Sequence, residues 1–217
     1  MKLLKVSALL ILIPGLLFAQ EMGKPIWNIG DTWTYKIVTS RGGGEKKEIV
    51  QKRVFLKEEE GMYVVSAARG NINTYYDASN LNTKYVKDAS GKVTERCIPE
   101  RPTFRWPLEV GKRWTARYSW QSPAARPDDP PYYDVTVKVV AQEPITVMGK
   151  ETMTFKLLEK RYNPRGALVA EMTQWVSLEV KNIVKWKDDR ELAKIYIEGE
   201  LIEFTSAKPT EFAPKIP

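Results

Sequence analysis

The sequence offers few side chains with the reactivity that catalysis needs. It contains no His and one Cys, Cys97. These absences exclude a Ser-His-Asp triad, a Cys-His dyad, His-ligated zinc and thiolate metal clusters. A single thiol has no internal disulfide partner and here lacks a histidine base that would activate it. We therefore predict that Cys97 is a small, buried or half-buried apolar residue.

Carboxylate pairs and one Gly-rich stretch are the remaining candidates for chemistry. Asp128-Asp129 lies in a Pro-rich stretch and Asp188-Asp189 lies near a predicted turn. Adjacent strand residues point to opposite faces, and the spacing of a calcium loop is missing, so both pairs are interpreted as solvated turn residues. The Gly-rich Arg41–Glu45 joins two predicted strands and precedes no helix, unlike a phosphate-binding loop. We expect no enzyme activity, no metal site and no cofactor.

Aromatic side chains are the most numerous candidates for ligand contacts, with seven Trp, ten Tyr and six Phe. Such rings either fill a core or line a binding surface, and burial is the commoner outcome. Trp33 and Trp114 are predicted to be core residues. Trp120, Trp175 and Trp186 are the candidate ligand contacts, although Trp175 fits a core position equally well. Trp175 and Trp186 bracket a tight connection between two predicted strands.

The elements that must position these residues are β-strands. Apolar and polar residues alternate with period two, which is typical of half-buried antiparallel strands. The alternation predicts three inward-facing sets: Trp33, Tyr35 and Ile37; Val135, Val137 and Val139; and Met153, Phe155 and Leu157. A kink is expected at Gly199 in a further strand.

Turn signals separate the predicted strands, because Gly, Asn, Asp and Pro favour the tight geometries of hairpins. Four hairpin turns are predicted, at Glu58–Gly61, Asp88–Lys92, Met148–Glu151 and Asn163–Gly166. We find no long amphipathic helix. The sequence therefore predicts an all-β protein of about ten strands, folded as a mainly antiparallel curved sheet (a half-barrel) or as a β-sandwich.

A short sequence motif occurs twice, as Ile29-Gly30-Asp31 before Trp33 and as Val110-Gly111-Lys112 before Trp114. In each copy the Gly permits a sharp turn into a strand. The charged residue is expected to face solvent and the Trp to fill one end of the core. The second copy follows a Pro-rich crossing at 97–107, where Pro99, Pro102 and Pro107 should prevent ladder pairing.

The N-terminus carries the pattern of a secretory signal peptide. Lys2 and Lys5 precede an apolar run that ends at Ala19, and the run is shorter than the roughly 20 residues of a membrane span. We expect a signal peptide over 1–19, a single β domain over 20–206 and an extended or disordered tail over 207–217. The net charge of +7 is scattered along the chain, which favours a solvated surface over nucleic-acid binding.

The segments in their order resemble a diffuse group of exported bacterial β-proteins of unknown function, related to the type IV pilus-associated TapB-like proteins. The resemblance is carried by Ile145–Lys160 and Glu171–Asp189, where Val147, Gly149, Trp175, Val180 and Lys185 match the group's two hairpin motifs. Met148, Leu178 and Asn182 depart from the pattern. The resemblance implies a fold and no activity. A looser fold-level analogy links such curved sheets to the half-barrels of periplasmic lipoprotein carriers.

Together these observations predict a non-catalytic, periplasmic or secreted bacterial envelope protein. Its concave sheet face would bind a hydrophobic or envelope-associated ligand, and its partner would be that ligand or an envelope protein. No nucleic acid is expected, and no membrane span after signal cleavage. Two alternatives remain open: a scaffold or interaction subunit of a cell-envelope or surface assembly, and a carbohydrate-binding module.

Overall fold

The structure is a computed structural model that describes residues 21–67, 71–123 and 130–208. The signal peptide predicted at 1–19, the Asp128-Asp129 pair and the tail from 209 lie outside the described residues. Twelve strands are present within them. They are β1 (Thr32–Arg41), β2 (Lys47–Glu59), β3 (Met62–Ala67), β4 (Ile72–Asp77), β5 (Thr83–Lys87), β6 (Val93–Arg101), β7 (Arg113–Gln121), β8 (Tyr133–Val147), β9 (Lys150–Tyr162), β10 (Leu168–Ser177), β11 (Asn182–Arg190) and β12 (Ile195–Thr205).

The strands form one closed antiparallel barrel. Each strand pairs with its neighbours in the sequence, and β1 pairs with β12 to close the sheet. The all-β, antiparallel prediction is confirmed, with twelve strands where about ten were expected. One turn of 3-10 helix, Glu191–Ala193, connects β11 to β12. No helix within the described ranges is long and apolar enough to cross a membrane. Because the first and last strands pair with each other, neither is an edge strand.

The four predicted hairpin turns are confirmed, because each lies between two paired strands. Glu60-Gly61 and Met148-Gly149 occupy the tips of two of them, with positive φ at all four residues. Consecutive positive φ values match the right-handed twist of the flanking strands, which explains the tight connections. These turns fix the register of the long β2–β3 and β8–β9 hairpins.

The predicted inward faces are confirmed for β1 and β8 and partly for β9. Trp33 and Tyr35 are buried, as are the three inward valines of β8. In β9, Phe155 and Leu157 are buried, but the prediction for Met153 is wrong because its side chain is exposed. Adjacent Thr154 and Phe155 are both buried, so the alternation changes phase there. The ladder between β8 and β9 also has a bulge between Val139 and Ala141.

The two copies of the repeated motif form the same glycine turn into a strand. Gly30 and Gly111 have φ values of 94° and 92°. The Gly30 N–H donates to Phe55 of β2 and the Gly111 N–H donates to Val139 of β8, at 2.8 and 2.9 Å. Such φ values favour glycine, which confirms the predicted turn into each strand.

The charged residues of the two copies differ in environment. Lys112 is half-buried, whereas Asp31 is fully buried, so the prediction that Asp31 faces solvent is wrong. The Asp31 carboxylate accepts hydrogen bonds from the Lys181 ammonium at 2.9 Å and from the Ala207 N–H at 2.8 Å. Its burial is tolerated because these donors satisfy it. Asp31 thereby holds the chain after β12 against the start of β1.

The core consists of two apolar clusters, each containing one of the repeated tryptophans. Trp33 belongs to the first and Trp114 to the second, both buried, which confirms their predicted core role. Phe104 and Trp106, from the segment after β6, pack against both clusters. As predicted, no ladder partner is found for Pro99, which lies in β6, or for Pro102 and Pro107, which follow it. The strand β6 itself continues past Pro99 to Arg101.

Candidate functional site

A central cavity of about 250 Å³ lies inside the barrel. Eight strands contribute to its wall, together with the segments that precede β1, β5 and β7. The lining residues are Trp27, Tyr35, Arg53, Tyr76, Leu81, Thr83, Arg101, Thr103, Phe104, Met172, Gln174, Asn182, Ile183, Trp186, Asp188, Arg190 and Ile197. The wall therefore combines aromatic rings with guanidinium groups.

The aromatic wall is held by ring contacts. The rings of Tyr35 and Trp186 meet edge to face with centroids 5.2 Å apart, and those of Trp27 and Tyr76 do so at 5.5 Å. The Trp186 ring lies directly over Gly199 of β12, where a Cβ atom would come within 2.1 Å of the ring. Gly199 has no positive φ, so its role is to make room for this ring.

The polar ends of two of these rings, Trp27 and Tyr35, are bonded to the backbone. The Trp27 Nε1–H donates to the Lys181 carbonyl at 2.7 Å, and the Tyr35 hydroxyl donates to the Ile183 carbonyl at 2.8 Å. Burial raises the pKa of the Tyr35 phenol well above its ordinary value of 10.0, against the opposing effect of Arg53. Tyr35 is thus neutral across the physiological range and contributes mainly ring surface to the cavity.

Five charged side chains form an alternating network beside the aromatic wall. Arg101 Nη2 lies 3.1 Å from Glu159 Oε1, and Arg161 Nε lies 3.1 Å from the same oxygen. Arg161 Nη2 donates to Asp188 Oδ1 at 2.9 Å, and Arg190 donates two hydrogen bonds to Asp188 Oδ2 at 2.9 and 2.8 Å. The network joins β6, β9 and β11 across the barrel interior.

The network fixes the charge state of its buried members. Burial works against ionisation of Asp188, but the charges of Arg161 and Arg190 outweigh it and lower the pKa of the Asp188 carboxyl below 3.8. Burial likewise opposes the charge on Arg101, and Glu159 outweighs it, so the pKa of the Arg101 guanidinium is raised. Both groups are therefore charged at neutral pH.

Arg53 is the cavity cation that stands apart from this network. Its guanidinium lies 4.9 Å from the ring centroid of Tyr35 and 5.7 Å from that of Trp186. It donates two hydrogen bonds to the neutral amide oxygen of Gln51, at 3.1 and 3.0 Å. Within the described parts of the chain, no carboxylate forms an ion pair with Arg53. Among the described residues, two rings and one amide stabilise its charge.

Four buried side-chain atoms of the described residues have no hydrogen-bond partner: Arg101 Nε, Glu159 Oε2, Arg161 Nε and Gln174 Nε2. Arg161 Nε is close to Glu159 but poorly aligned for a hydrogen bond. Arg101 and Gln174 line the cavity, and the unpaired atom of each is a buried N–H donor. Buried donors without a protein partner are rare and indicate that water or a ligand supplies the acceptor.

The structure does not bring the three candidate tryptophans together. Trp186 lines the cavity, whereas Trp175 and Trp120 do not. Trp175 is 8% exposed, and its Nε1–H donates to Glu143 at 2.7 Å. Trp120 lies on β7 beside the second cluster, with Nε1 3.4 Å from a Glu95 carboxylate oxygen. Their role in ligand binding remains a prediction.

Eight of the seventeen cavity residues are charged or polar, and for that reason they were not predicted to face the interior. The interpretation of Asp188 as a solvated turn residue is wrong: it lies within β11 and is 4% exposed. One signal was available, since period-two alternation places Glu159 and Arg161 on the same face of β9 as Leu157. That signal indicates an inward-facing charged pair.

Comparisons with known proteins add a description of similar folds. Neither a known protein family nor a curated protein matches this sequence. The hypothetical lipoprotein YmcC from Escherichia coli aligns at 13% identity with a TM-score of 0.46, over 80% of this chain and 87% of that one. A Bacteroides fragilis exported protein with a YmcC-like fold aligns at 10% identity with a TM-score of 0.39, over 86% of this chain and 100% of that one. A LolA superfamily protein from Nitrosomonas europaea aligns at 7% identity with a TM-score of 0.37, over 85% of this chain and 89% of that one.

These identities and TM-scores are too low to argue family or function for this chain. The resemblance to TapB-like proteins stays a prediction, as does the analogy with lipoprotein carriers. The function must be argued from the cavity itself.

Proposed function

We propose that this chain is a non-catalytic binding protein that holds an apolar or amphipathic ligand inside its barrel. The observation that carries the proposal is the central cavity, whose wall is rich in aromatic rings and in which the polar ends of Trp27 and Tyr35 are bonded to the backbone. A concave, largely preformed pocket with aromatic walls and a few polar groups is the usual form of a small-molecule site.

The cavity volume limits the size of the ligand. A cavity of about 250 Å³ lies just below the usual range for ligand sites, which is about 300–1,000 Å³. An alkyl chain of seven methylenes would gain about 5–6 kcal/mol from burial, at about 0.8 kcal/mol for each CH₂. The cost of association reduces that gain. The best fit is a small ligand, or one short branch of a larger one.

The carboxylates near the cavity support binding over catalysis. Glu159 and Asp188 are each held by guanidinium groups, and Asp188 is kept ionised because its pKa is lowered. A general acid or base needs a pKa near the working pH. Burial raises the pKa of the Cys97 thiol to about 11, so very little thiolate nucleophile exists at neutral pH.

Export to the bacterial envelope is part of the same proposal, and it is supported by the N-terminal sequence. The basic residues Lys2 and Lys5, the apolar run and the small Ala19 together form the pattern of a signal peptide. Expression of the full chain in Escherichia coli, followed by fractionation and N-terminal sequencing, tests this part. Recovery of a cytoplasmic, uncleaved chain would contradict it.

A cavity-filling variant tests ligand binding. Thr83 lines the cavity, whereas Thr115 on β7 is exposed and lies outside it. We expect the wild-type protein to bind 1-octanol in calorimetry, with a change in Trp emission. Thr83→Phe should weaken this binding at least tenfold, and Thr115→Phe, the matched control, should not.

Two results would count against the proposal. Wild-type protein that binds no 1-octanol, together with co-purification of an envelope protein, would favour a scaffold subunit. Equal binding by wild type and a folded Thr83→Phe variant would show that the alcohol binds elsewhere.

A further inference from the structure

We infer that the ligand carries an oxyanion head group, a carboxylate or a phosphate, that is bound by Arg53 together with the buried N–H donors of Arg101 and Gln174. This inference rests on the proposed function, because it assigns a chemical class to the ligand of the same cavity. It is argued from charge balance, from unpaired donors and from the geometry of the guanidinium group.

The charge balance around the cavity is positive. Arg53, Arg101 and Arg190 line the cavity together with a single carboxylate, Asp188. The ion pairs attached to this lining add Arg161 and Glu159. Four guanidinium groups therefore face two carboxylates, which leaves a surplus of two positive charges. A low-dielectric interior strengthens the attraction of such a surplus for an anion.

Arg53 is the cation best placed to use that surplus. Arg101, Arg161 and Arg190 each have a carboxylate partner, whereas Arg53 contacts the Gln51 amide and two aromatic rings. A partly buried guanidinium without a counterion is costly, and an anionic ligand relieves that cost. The planar fork of Arg matches the two oxygens of a carboxylate or phosphate.

The unpaired donors favour the same class of ligand. Arg101 Nε and Gln174 Nε2 are buried and lack protein acceptors, and Gln174 is 1% exposed. Both residues line the cavity, and neither donor finds an acceptor among the described residues. An oxyanion has several lone pairs and can accept from more than one of them. A cationic or purely apolar ligand would leave both donors unsatisfied and would lose affinity for that reason.

The aromatic wall determines the rest of the ligand. Trp186 and Tyr35 contact Arg53 directly, so an anion bound there has its attached carbon chain against ring surfaces. The recognised class is an amphipathic anion with a short alkyl or aromatic body.

The test compares four probes that share an eight-carbon chain: octanoate, octyl phosphate, 1-octanol and octylamine. Calorimetry on the full mature chain at neutral pH and low salt should show an anionic probe binding at least tenfold tighter than 1-octanol, with octylamine weakest. The relative affinities of octanoate and octyl phosphate then distinguish a carboxylate from a phosphate head group.

Two variants locate the head group. Arg53→Gln should reduce the affinity for the preferred anion at least tenfold more than it reduces the affinity for 1-octanol. Lys52→Gln, the matched control, makes the same charge change at an exposed position on the same strand and should alter neither affinity. Gln174→Leu, which has nearly the same volume, should reduce anion affinity several-fold and serves if Arg53→Gln does not fold.

The outcomes separate the two proposals. Equal affinities for octanoate, octyl phosphate and 1-octanol would overturn the anionic head group and leave the binding function intact. Binding of no probe would reject the proposed function itself. Tightest binding of octylamine, or an equal loss of anion affinity in Lys52→Gln and Arg53→Gln, would also overturn the inference.

Discussion

The contact between Gly199 and Trp186 can be tested by adding a single methyl group. Gly199 on β12 pairs with Trp186 on β11, and the indole ring lies across the glycine. A Cβ atom at position 199 would lie 2.1 Å from Cζ2 and 2.2 Å from Cη2 of that ring. These separations are far below van der Waals contact, so Gly199→Ala must displace the Trp186 ring or the strand.

The expected magnitude follows from two opposing effects. Ala is ordinarily more favourable than Gly within a strand by roughly 0.5–1 kcal/mol, because Gly loses more backbone freedom on folding. Overpacking in a well-packed interior costs about 1–3 kcal/mol. The overlap here involves a large ring held by Tyr35 and Arg53, so overpacking should dominate. We expect Gly199→Ala to lower the free energy of unfolding by about 1–3 kcal/mol.

Urea unfolding measures this change, and near-ultraviolet circular dichroism reports the movement of the Trp186 ring. Gly23→Ala is the matched control, because position 23 has no atom within 4 Å of an added Cβ and no positive φ. That control should change stability by less than about 0.5 kcal/mol. In a Trp186→Leu background, Gly199→Ala should cost at least about 1 kcal/mol less than in wild type, since the two residues are in contact.

A stabilising Gly199→Ala variant with an unchanged near-ultraviolet spectrum would refute this reasoning. An equal cost of Gly199→Ala in the wild-type and Trp186→Leu backgrounds would also refute it, because the cost would then come from the backbone.

Three further predictions concern the core and the charged network. Trp33→Ala and Trp114→Ala should each reduce the free energy of unfolding by about 3–5 kcal/mol in urea titrations; a cost below about 1 kcal/mol for either would contradict its core role. Iodoacetamide at neutral pH should alkylate Cys97 slowly in the folded protein and rapidly in urea, because burial raises its thiol pKa to about 11; equal rates, followed by mass spectrometry, would show an accessible thiol. Asp188→Asn should cost about 3–5 kcal/mol at pH 7. The folded-state pKa of Asp188 lies below its ordinary value of 3.8. The stability lost in Asp188→Asn should therefore be greatest above pH 3.8 and should shrink as the pH falls below it, because wild-type Asp188 then becomes protonated. A loss of stability that stays constant down to the folded-state pKa would contradict this prediction.

The sequence was most informative where a local pattern decides the structure. The alternation in β1 predicted that Trp33 and Tyr35 face the interior, because side chains on a strand alternate between faces whatever its partner. The repeated Gly predicted a turn into β1 and into β7, and Gly30 and Gly111 adopt nearly the same φ. Such features depend on a few neighbouring residues, so they can be read without knowledge of the barrel.

The charged interior could not be predicted in the same way. Arg161 contacts Asp188 across 27 positions, and Arg101 contacts Glu159 across 58. A charged residue on an inward face is costly unless paired, so without knowledge of its partner the surface is the better prediction. Asp31 shows the same difficulty, because its backbone donor at Ala207 lies 176 positions away. Sheet closure brings these partners together, and closure depends on the register of all the strands.

The order of residues along β11 indicates how an amphipathic ligand would lie in the cavity. Trp186, Asp188 and Arg190 alternate with outward-facing residues and line the cavity, whereas Val184 does not line it. Val184 is buried in the first apolar cluster, Trp186 forms the aromatic wall, and Asp188 and Arg190 belong to the charged network. The interior thus changes from apolar to aromatic to charged over six residues of β11, which spans about 20 Å. The proposed amphipathic anion fits this gradient in one orientation, with its carbon chain against Trp186 and its head group toward the arginines.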